Sequence, residues 1–314
     1  MNRPEADRTL AIILNWRQPD VTLECVQALQ AMHEPHLDIL VIDNGSGDNS
    51  AILLAERQEG FRLLPLADNL GFAAGNNQGL RMALEEGYDY ALLVNNDAFA
   101  APDMLAHLFE ETASDIGLLA PKIYYEAEPE RIWFANGRSH PLTLDLRDTG
   151  QGELDGPQWA FSRDVDYLLG TCLLVNLSLA SEVGLLDERY FFYFEDLDWS
   201  LRFRQAGYRL RLAAGAHLAH RVGLSTGGEE DSPLRRYYLA YGSVLFWRQH
   251  ARLGSPLIIF AFRLLSGLKI VARLTLTGRL AVATAYLRGL RHGWQDSNQG
   301  EVGPNQKRRL GPTS

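Results

Sequence analysis

Three short apolar runs, residues 10–14, 37–42 and 90–94, each end on a polar side chain, with stretches of helical composition between them. A continuous apolar run of that length fits a strand covered on both faces, as in a parallel sheet. Residues 61–65 form a weaker fourth run. Segments 20–32, 48–59 and 74–86 read as helices, the second opened by Asp48 and Ser50 in a glycine-broken turn. Strand and helix in alternation predict an α/β fold with a mostly parallel sheet and right-handed crossovers. Ligands in such sheets sit at the carboxyl ends of the strands. Polar residues gather at those ends: Asn15 after the first run, Asp43 and Asn44 after the second, and Asn95, Asn96 and Asp97 after residues 90–94. Strand-like pieces at 116–120, 132–134 and 167–175 extend the domain, joined by a Gly/Asp-rich stretch at 142–157 that reads as a flexible excursion.

Charge divides the chain unevenly. The formal net charge of −9 is the sum of −20 over residues 1–232 and +11 over residues 233–314. A basic segment on an acidic body suits a polyanionic surface, nucleic acid or anionic lipid. Within 257–290, aliphatic and aromatic residues alternate with Arg263, Lys269 and Arg273, which share about a third of a helical wheel. That pattern is an interfacial helix and favours a membrane surface over nucleic acid. The alternative is a core-packing helix with snorkelling cations. A membrane span would need about 20 apolar residues with few charges, and no window meets that. The expected organisation is a catalytic domain over 1–232 (halves 9–115 and 116–232), a helical membrane-surface extension over 233–295 and a disordered tail over 296–314. Cys25 and Cys172 lie far apart without metal-ligand or disulfide spacing, and residues 1–8 lack the apolar stretch of a secretory signal. The expected location is cytoplasmic, peripheral on the inner face of the membrane.

Four segments could carry chemistry. Asp97, at the end of a buried strand before a helix beginning near Pro102, suits a hard divalent cation, which takes one or two carboxylates plus substrate phosphates. A capping or turn role is the plain alternative. Aromatic residues 190–194 precede Glu195 and Asp196, and apolar walls raise a carboxyl towards the range of a general base. Acids at a helix start also simply complement its dipole. Asp198 and Arg202, four apart, read as an ordinary surface pair. His217 and His220 follow a strand-like 209–213; His220 is preferred as a metal ligand. The glycine-rich run 69–79 lacks a dinucleotide or Walker spacing, yet offers Gly71 and its neighbours for close backbone approach next to a helix N-terminus.

Taken in order, Val41-Ile42-Asp43-Asn44-Gly45-Ser46, Asn69-Leu70-Gly71-Phe72-Ala73-Ala74-Gly75-Asn76-Asn77, Val94-Asn95-Asn96-Asp97, Asp166-Tyr167-Leu168-Leu169-Gly170, Phe192-Tyr193-Phe194-Glu195-Asp196-Leu197-Asp198 and His220 resemble inverting glycosyltransferase family two, specifically its bacterial rhamnosyltransferase-like members. The resemblance spans about residues 9–250. It implies a GT-A fold, a nucleotide-diphosphate sugar donor (TDP- or UDP-linked), a divalent cation (Mg2+ or Mn2+) and a glycan or lipid-linked acceptor in bacterial surface polysaccharide synthesis. By position it implies that Asp43 binds the base. Asn15 and Asn69 lie at the nucleoside, with Gly71, Asn95 and Asn96 beside the donor. It further implies Asp97 and His220 as metal ligands, Asp196 as general base and Glu195 in support. The first acid of the family's metal motif is Asn95 here, leaving one fewer charge for the cation. After Arg236-Tyr237-Tyr238-Leu239-Ala240 related sequences often continue Arg-Asn, where this chain has Tyr241-Gly242.

Two other readings remain open on the residues alone. A glycoside hydrolase also uses two carboxylates and needs neither nucleotide nor cation. A catalytically idle GT-A-like membrane scaffold is the other, encouraged by Asn95.

Overall fold

The computed structural model describes residues 7–222 and 232–297. In the first half, strands β1 (Thr9–Asn15), β2 (Leu37–Asp43), β3 (Arg62–Pro65) and β4 (Tyr90–Asn95) alternate with helices α1 (Pro19–Gln30), α2 (Ser50–Glu56) and α3 (Gly71–Glu85). Next come β5 (Ala98–Ala100), α4 (Met104–Glu110), β6 (Ile116–Tyr125) and β7 (Glu128–Phe134). Short strands β8 (Gly137–Ser139), β9 (Leu146–Asp148) and β10 (Arg163–Asp164) lead to β11 (Cys172–Asn176), α5 (Leu177–Val183), α6 (Glu195–Gln205) and β12 (Arg209–His220). Helices α7 (Pro233–His250), α8 (Pro256–Leu276) and α9 (Leu280–Asp296) follow.

Among the described residues one mixed sheet runs β10-β12-β6-β11-β4-β1-β2-β3, with β5 on β12 and β7 on β6. The pairs β1/β2, β1/β4 and β2/β3 are parallel, whereas β11 is antiparallel to both β4 and β6. Strand order reverses at β1, so a crevice opens at the carboxyl ends of β1 and β4, with Asn15 opposite Asp43 and Leu14 opposite Asn95. Leu10, Ile12 and Ile13 are wholly buried. Full burial of each contributes about 1.5–3 kcal/mol, so this central strand is a rigid platform for its polar end.

Helix α3 starts at Gly71, earlier than residue 74, because its glycines are packing positions. A Cβ on Gly75 would meet Leu14 Cδ1 at 2.8 Å, and one on Gly79 would meet Ile12 Cγ2 at 2.8 Å. Glycine inside a helix costs about 1 kcal/mol relative to alanine, and here close helix-on-strand contact offsets it. Residues 142–157 are no flexible excursion: they carry β9, bury Leu144, and lead into a short 3-10 helix containing the buried Trp159. The strand expected over 209–213 continues to His220, with three residues bulged out between Ala213 and His217.

The C-terminal region is a layer of separate helices rather than one long helix over 257–290; a break at Thr277–Gly278–Arg279, with Gly278 at φ +73°, separates α8 from α9, and α9 lies alongside α7. Gly289 and Gly293 of α9 sit against the carbonyls of Tyr237 and Tyr241, where a Cβ would come within 2.3 and 2.6 Å. Arg263 does not join a solvent-facing polar stripe: its guanidinium lies 3.8 Å from the Trp247 ring and 3.5 Å from Asp145. The outward face of α8 is apolar, with Leu257, Phe260, Leu264, Leu265 and Leu268 all more than half exposed. Most of the expected tail, from residue 298 onward, lies outside the described residues.

Candidate active site

The first cluster caps β1 and β2. Asn15 is fully buried and donates from Nδ2 to Asp43 Oδ1 at 2.6 Å. Its own Oδ1 accepts from Thr22 Oγ1 at 2.7 Å, and Thr22 Oγ1 accepts from Asn96 Nδ2 at 3.2 Å. One hydrogen-bonded chain therefore ties the ends of β2, β1 and β4. Ser46 adds a 2.5 Å bond to Asp43 Oδ1 and a longer 3.4 Å bond from its amide to Oδ2. Asp43 Oδ2 keeps acceptor capacity, while Asn15 spends its amide on orienting it. Asn69 caps locally: its Oδ1 accepts from Gly71 N at 2.8 Å and from Asn44 Nδ2 at 3.1 Å. Gly71, at φ +82°, lets the α3 N-terminus abut the aromatic run, where Phe72 N–H donates to Phe191 O at 2.7 Å.

The second cluster is Asp97 and His220. Ala98 of β5 stands opposite His220 in the antiparallel β5/β12 pair, and that register brings His220 Nε2 to 3.2 Å from Asp97 Oδ1. Both are buried. Arg221 N–H donates to Asp97 O at 2.9 Å while its guanidinium pairs with Glu126 and Glu24, a strut across the same turn. Trp133 packs edge-on to the His220 ring, centroids 4.5 Å apart. His217 is elsewhere: it stands opposite Lys122 and packs against Tyr124, and burial, reinforced by the Lys122 charge, lowers its pKa.

The third cluster opens α6. Asp196 accepts from Gly170 N (2.8 Å, Oδ2) and Leu197 N (2.8 Å, Oδ1). Burial raises its carboxyl, and those N–H donors partly oppose the shift. Glu195 is buried, its Oε2 lacks a hydrogen-bond partner among the described residues, and burial with the adjacent Asp196 charge pushes it well above the usual carboxylate range. Asp198 and Arg202 do pair, at 2.7 Å, but not at the surface: Asp198 is fully buried and also holds His250.

A backbone link joins the third cluster to the strand end before the second. Gly170 donates to Asp196, and its neighbour Thr171 accepts from Asn95 N at 2.9 Å, two residues before Asp97. The sequence reading missed Thr22, Ser46, Thr171, Trp133, Arg221 and His250. Only Ser46, three residues beyond Asp43 in a glycine turn, carried a local signal.

A divalent cation fits the Asp97–His220 pair. Oxygen and imidazole nitrogen are both donors for Mg2+ or Mn2+-type sites, and two ligands about 2.1 Å from one octahedral ion stand about 3 Å apart, close to the separation observed. No group of three or more His, Cys, Asp or Glu side chains able to hold a metal occurs among the described residues, so substrate oxygens would complete the shell.

Comparisons with known proteins follow the same lines. The family described as "Glycosyl transferase family 2" matches residues 11–169, half of the chain. The N-acetylglucosaminyl-diphospho-decaprenol L-rhamnosyltransferase of Mycobacterium tuberculosis is 28% identical over 236 residues, covering 67% of this chain and 75% of that protein. Rhamnosyltransferase WbbL of Escherichia coli K12 is 26% identical over 220 residues, covering 67% and 81%. In fold, the mannosyltransferase PcManGT of Pyrobaculum calidifontis, solved with GDP-Man and Mn2+, aligns with a TM-score of 0.55 at 14% identity over 94% of this chain and 88% of that one.

Proposed function

This chain belongs to glycosyl transferase family 2 and is a sugar-transferring enzyme with a GT-A fold, and from that premise we propose the following reaction. The donor is a nucleotide-diphosphate sugar, TDP- or UDP-linked, and the sugar is L-rhamnose, as in the names of the relatives from M. tuberculosis and E. coli. The acceptor is a hydroxyl of a lipid-linked or surface glycan. The observation that supports the proposal is the Gly170-Thr171 step, whose backbone bonds both Asp196 and Asn95, the latter two residues before the Asp97 that pairs with His220.

In this reading Asp43, aimed by Asn15 and Ser46, receives the base, and Asn69, Gly71, Asn95 and Asn96 border the nucleoside and diphosphate. Asp97 and His220 would hold a divalent cation, Mg2+ or Mn2+, which when bound neutralises charge building on the departing diphosphate. Asp196 takes the proton of the acceptor hydroxyl as that oxygen bonds to the anomeric carbon from the face opposite the diphosphate. The carbon–oxygen bond to the diphosphate breaks, its electron pair leaves with the nucleotide, and configuration inverts. Burial and the adjacent Asp196 charge push the Glu195 carboxyl up, which disfavours a second negative charge beside the base. A hydrolase would need a water-activating acid–base pair flanking a glycosidic bond. The family match and the metal-type pair favour transfer.

The outward apolar face of α8, with Lys269 and Arg273 exposed on the same helix, suits the interface of an anionic bilayer at which a lipid-linked acceptor would be met. No helix among the described residues is long and apolar enough to cross a membrane. In this reading the enzyme works peripherally, on the cytoplasmic side of that bilayer. Thermal-shift titration with TDP-rhamnose and UDP-sugars, with and without manganese, tests the donor: a true donor raises Tm progressively as its concentration exceeds its Kd. Stabilisation by no nucleotide sugar would overturn the proposal.

A further inference from the structure

Helix α7 grips the base-bearing helix α6 at two places. Asp198, in the first turn of α6, is fully buried; its Oδ2 accepts from Arg202 Nε at 2.7 Å, and its Oδ1 from Gln249 Nε2 at 2.9 Å and His250 Nε2 at 2.7 Å. His250 is buried too, and its Nδ1 lies 3.3 Å from Gln205 Nε2, in the last turn of α6. With Nδ1 accepting and Nε2 donating, a neutral imidazole satisfies both ends of the contact.

The second grip is on the turn that enters α6. Tyr193 and Phe194 adopt φ +68° and +76°, a left-handed conformation that bulky residues hold only when their surroundings over-determine it. Those surroundings come from α7. The Phe194 ring packs on Phe246 with centroids 5.5 Å apart. Gly242 approaches so closely that a Cβ there would lie 2.9 Å from Tyr193 O and 3.0 Å from Phe194 Cδ2. Phe194 O in turn accepts the Asp198 amide at 2.8 Å, so the strained turn and the buried carboxylate form one unit.

We propose that His250 is a positioning residue for the transfer reaction, acting through Asp198, and that the Gly242–Phe246–His250 face of α7 fixes the aim of Asp196. The inference rests on Asp196 being the base. It makes the C-terminal helical layer part of the catalytic apparatus, not only a surface extension.

The test uses the full chain as H250F, H250Q and G242A, with TDP-rhamnose and an N-acetylglucosaminyl-diphospho-lipid as substrates, alongside amide hydrogen exchange without substrate. H250F is expected to lower kcat about 10- to 100-fold with donor KM within about twofold, as for a reacting group displaced by a fraction of an ångström. H250Q, whose side-chain amide can still donate to Asp198, recovers most of that loss. Exchange rises over residues 193–198 while β1 to β4 keep their protection. Wild-type kcat in H250F, or H250Q as impaired as H250F, would overturn the proposal. A loss spread over KM and over protection of the whole sheet would also overturn it, reducing His250 to a structural role. If H250F does not fold, G242A decides on the same two readouts. Should no sugar transfer occur even in the unaltered chain, the reaction assignment fails, while the exchange data still report whether His250 orders the turn.

Discussion

The Asp97 carboxylate and the His220 imidazole, far apart in the chain, meet at 3.2 Å because β5 and β12 pair with Ala98 directly opposite His220. The register of one three-residue strand thus assembles the metal-type pair. Asp97→Asn and His220→Ala are each expected to abolish the extra thermal stabilisation that manganese adds to UDP or TDP binding, leaving the smaller metal-free shift in place. Equal manganese enhancement in both variants, measured by differential scanning fluorimetry, would remove the pair from metal binding.

Burial raises the Glu195 carboxyl well above its ordinary range, so the folded chain releases this proton at a higher pH than the unfolded chain does. The stability tied to that proton is present at low pH and disappears as pH rises through the folded-state value. Glu195→Gln removes this component. Relative to wild type, the variant should gain urea stability as pH rises above the ordinary glutamate range, and parallel stability curves would contradict the assignment.

Asp196 is raised as well, by burial. As the base it must be ionised, so kcat is expected to fall as pH drops through its raised value, at a pH above that of an exposed aspartate. A flat acid limb down to the ordinary aspartate range would show that Asp196 does not titrate in the rate-limiting step.

Gly79 allows α3 to lie on β1. Gly79→Ala places a methyl 2.8 Å from Ile12 and should cost about 1–3 kcal/mol by overpacking, read from denaturant midpoints, with nucleotide affinity unchanged. A neutral result would mean that α3 can move outward freely.

The exposed Leu265 and Leu268 of α8 are expected to carry membrane contact. Leu265→Glu with Leu268→Glu should strip the protein from phosphatidylglycerol vesicles in a sedimentation assay, and added salt should weaken the wild-type interaction. Unchanged partitioning, or a switch of oligomeric state in the variant without change in lipid binding, would assign this face to another copy of the chain.

Much of the parallel half was legible because continuous apolar runs ending in polar residues translate directly into buried strands with polar tips. The candidate site positions were legible for the same reason: Asn15, Asp43 and Asp97 fall at or just beyond strand ends. What lay hidden depends on long-range pairing. Thr22 looks like any helix residue until Asn15 and Asn96 close on it. Asp198 and Arg202 read as a surface pair because their spacing is that of one, whereas Asp198 is buried where Gln249 and His250 of α7 meet it. The glycines of 71–79 suggested phosphate contact, whereas Gly75 and Gly79 serve helix-on-strand packing. On α8 the periodicity was readable, but not which face the body would cover; Arg263 turned inward onto Trp247.

The central claim is that Asp196 accepts the proton of the acceptor hydroxyl within a site that binds a nucleotide-diphosphate sugar. The most direct measurement is nucleotide-diphosphate release by Asp196→Asn, with TDP-rhamnose, manganese and the lipid-linked acceptor, alongside calorimetric binding of the same donor. The account predicts donor affinity within about threefold of wild type and turnover reduced about 10²- to 10⁴-fold, the range of a lost general base. Wild-type turnover in that variant would contradict it.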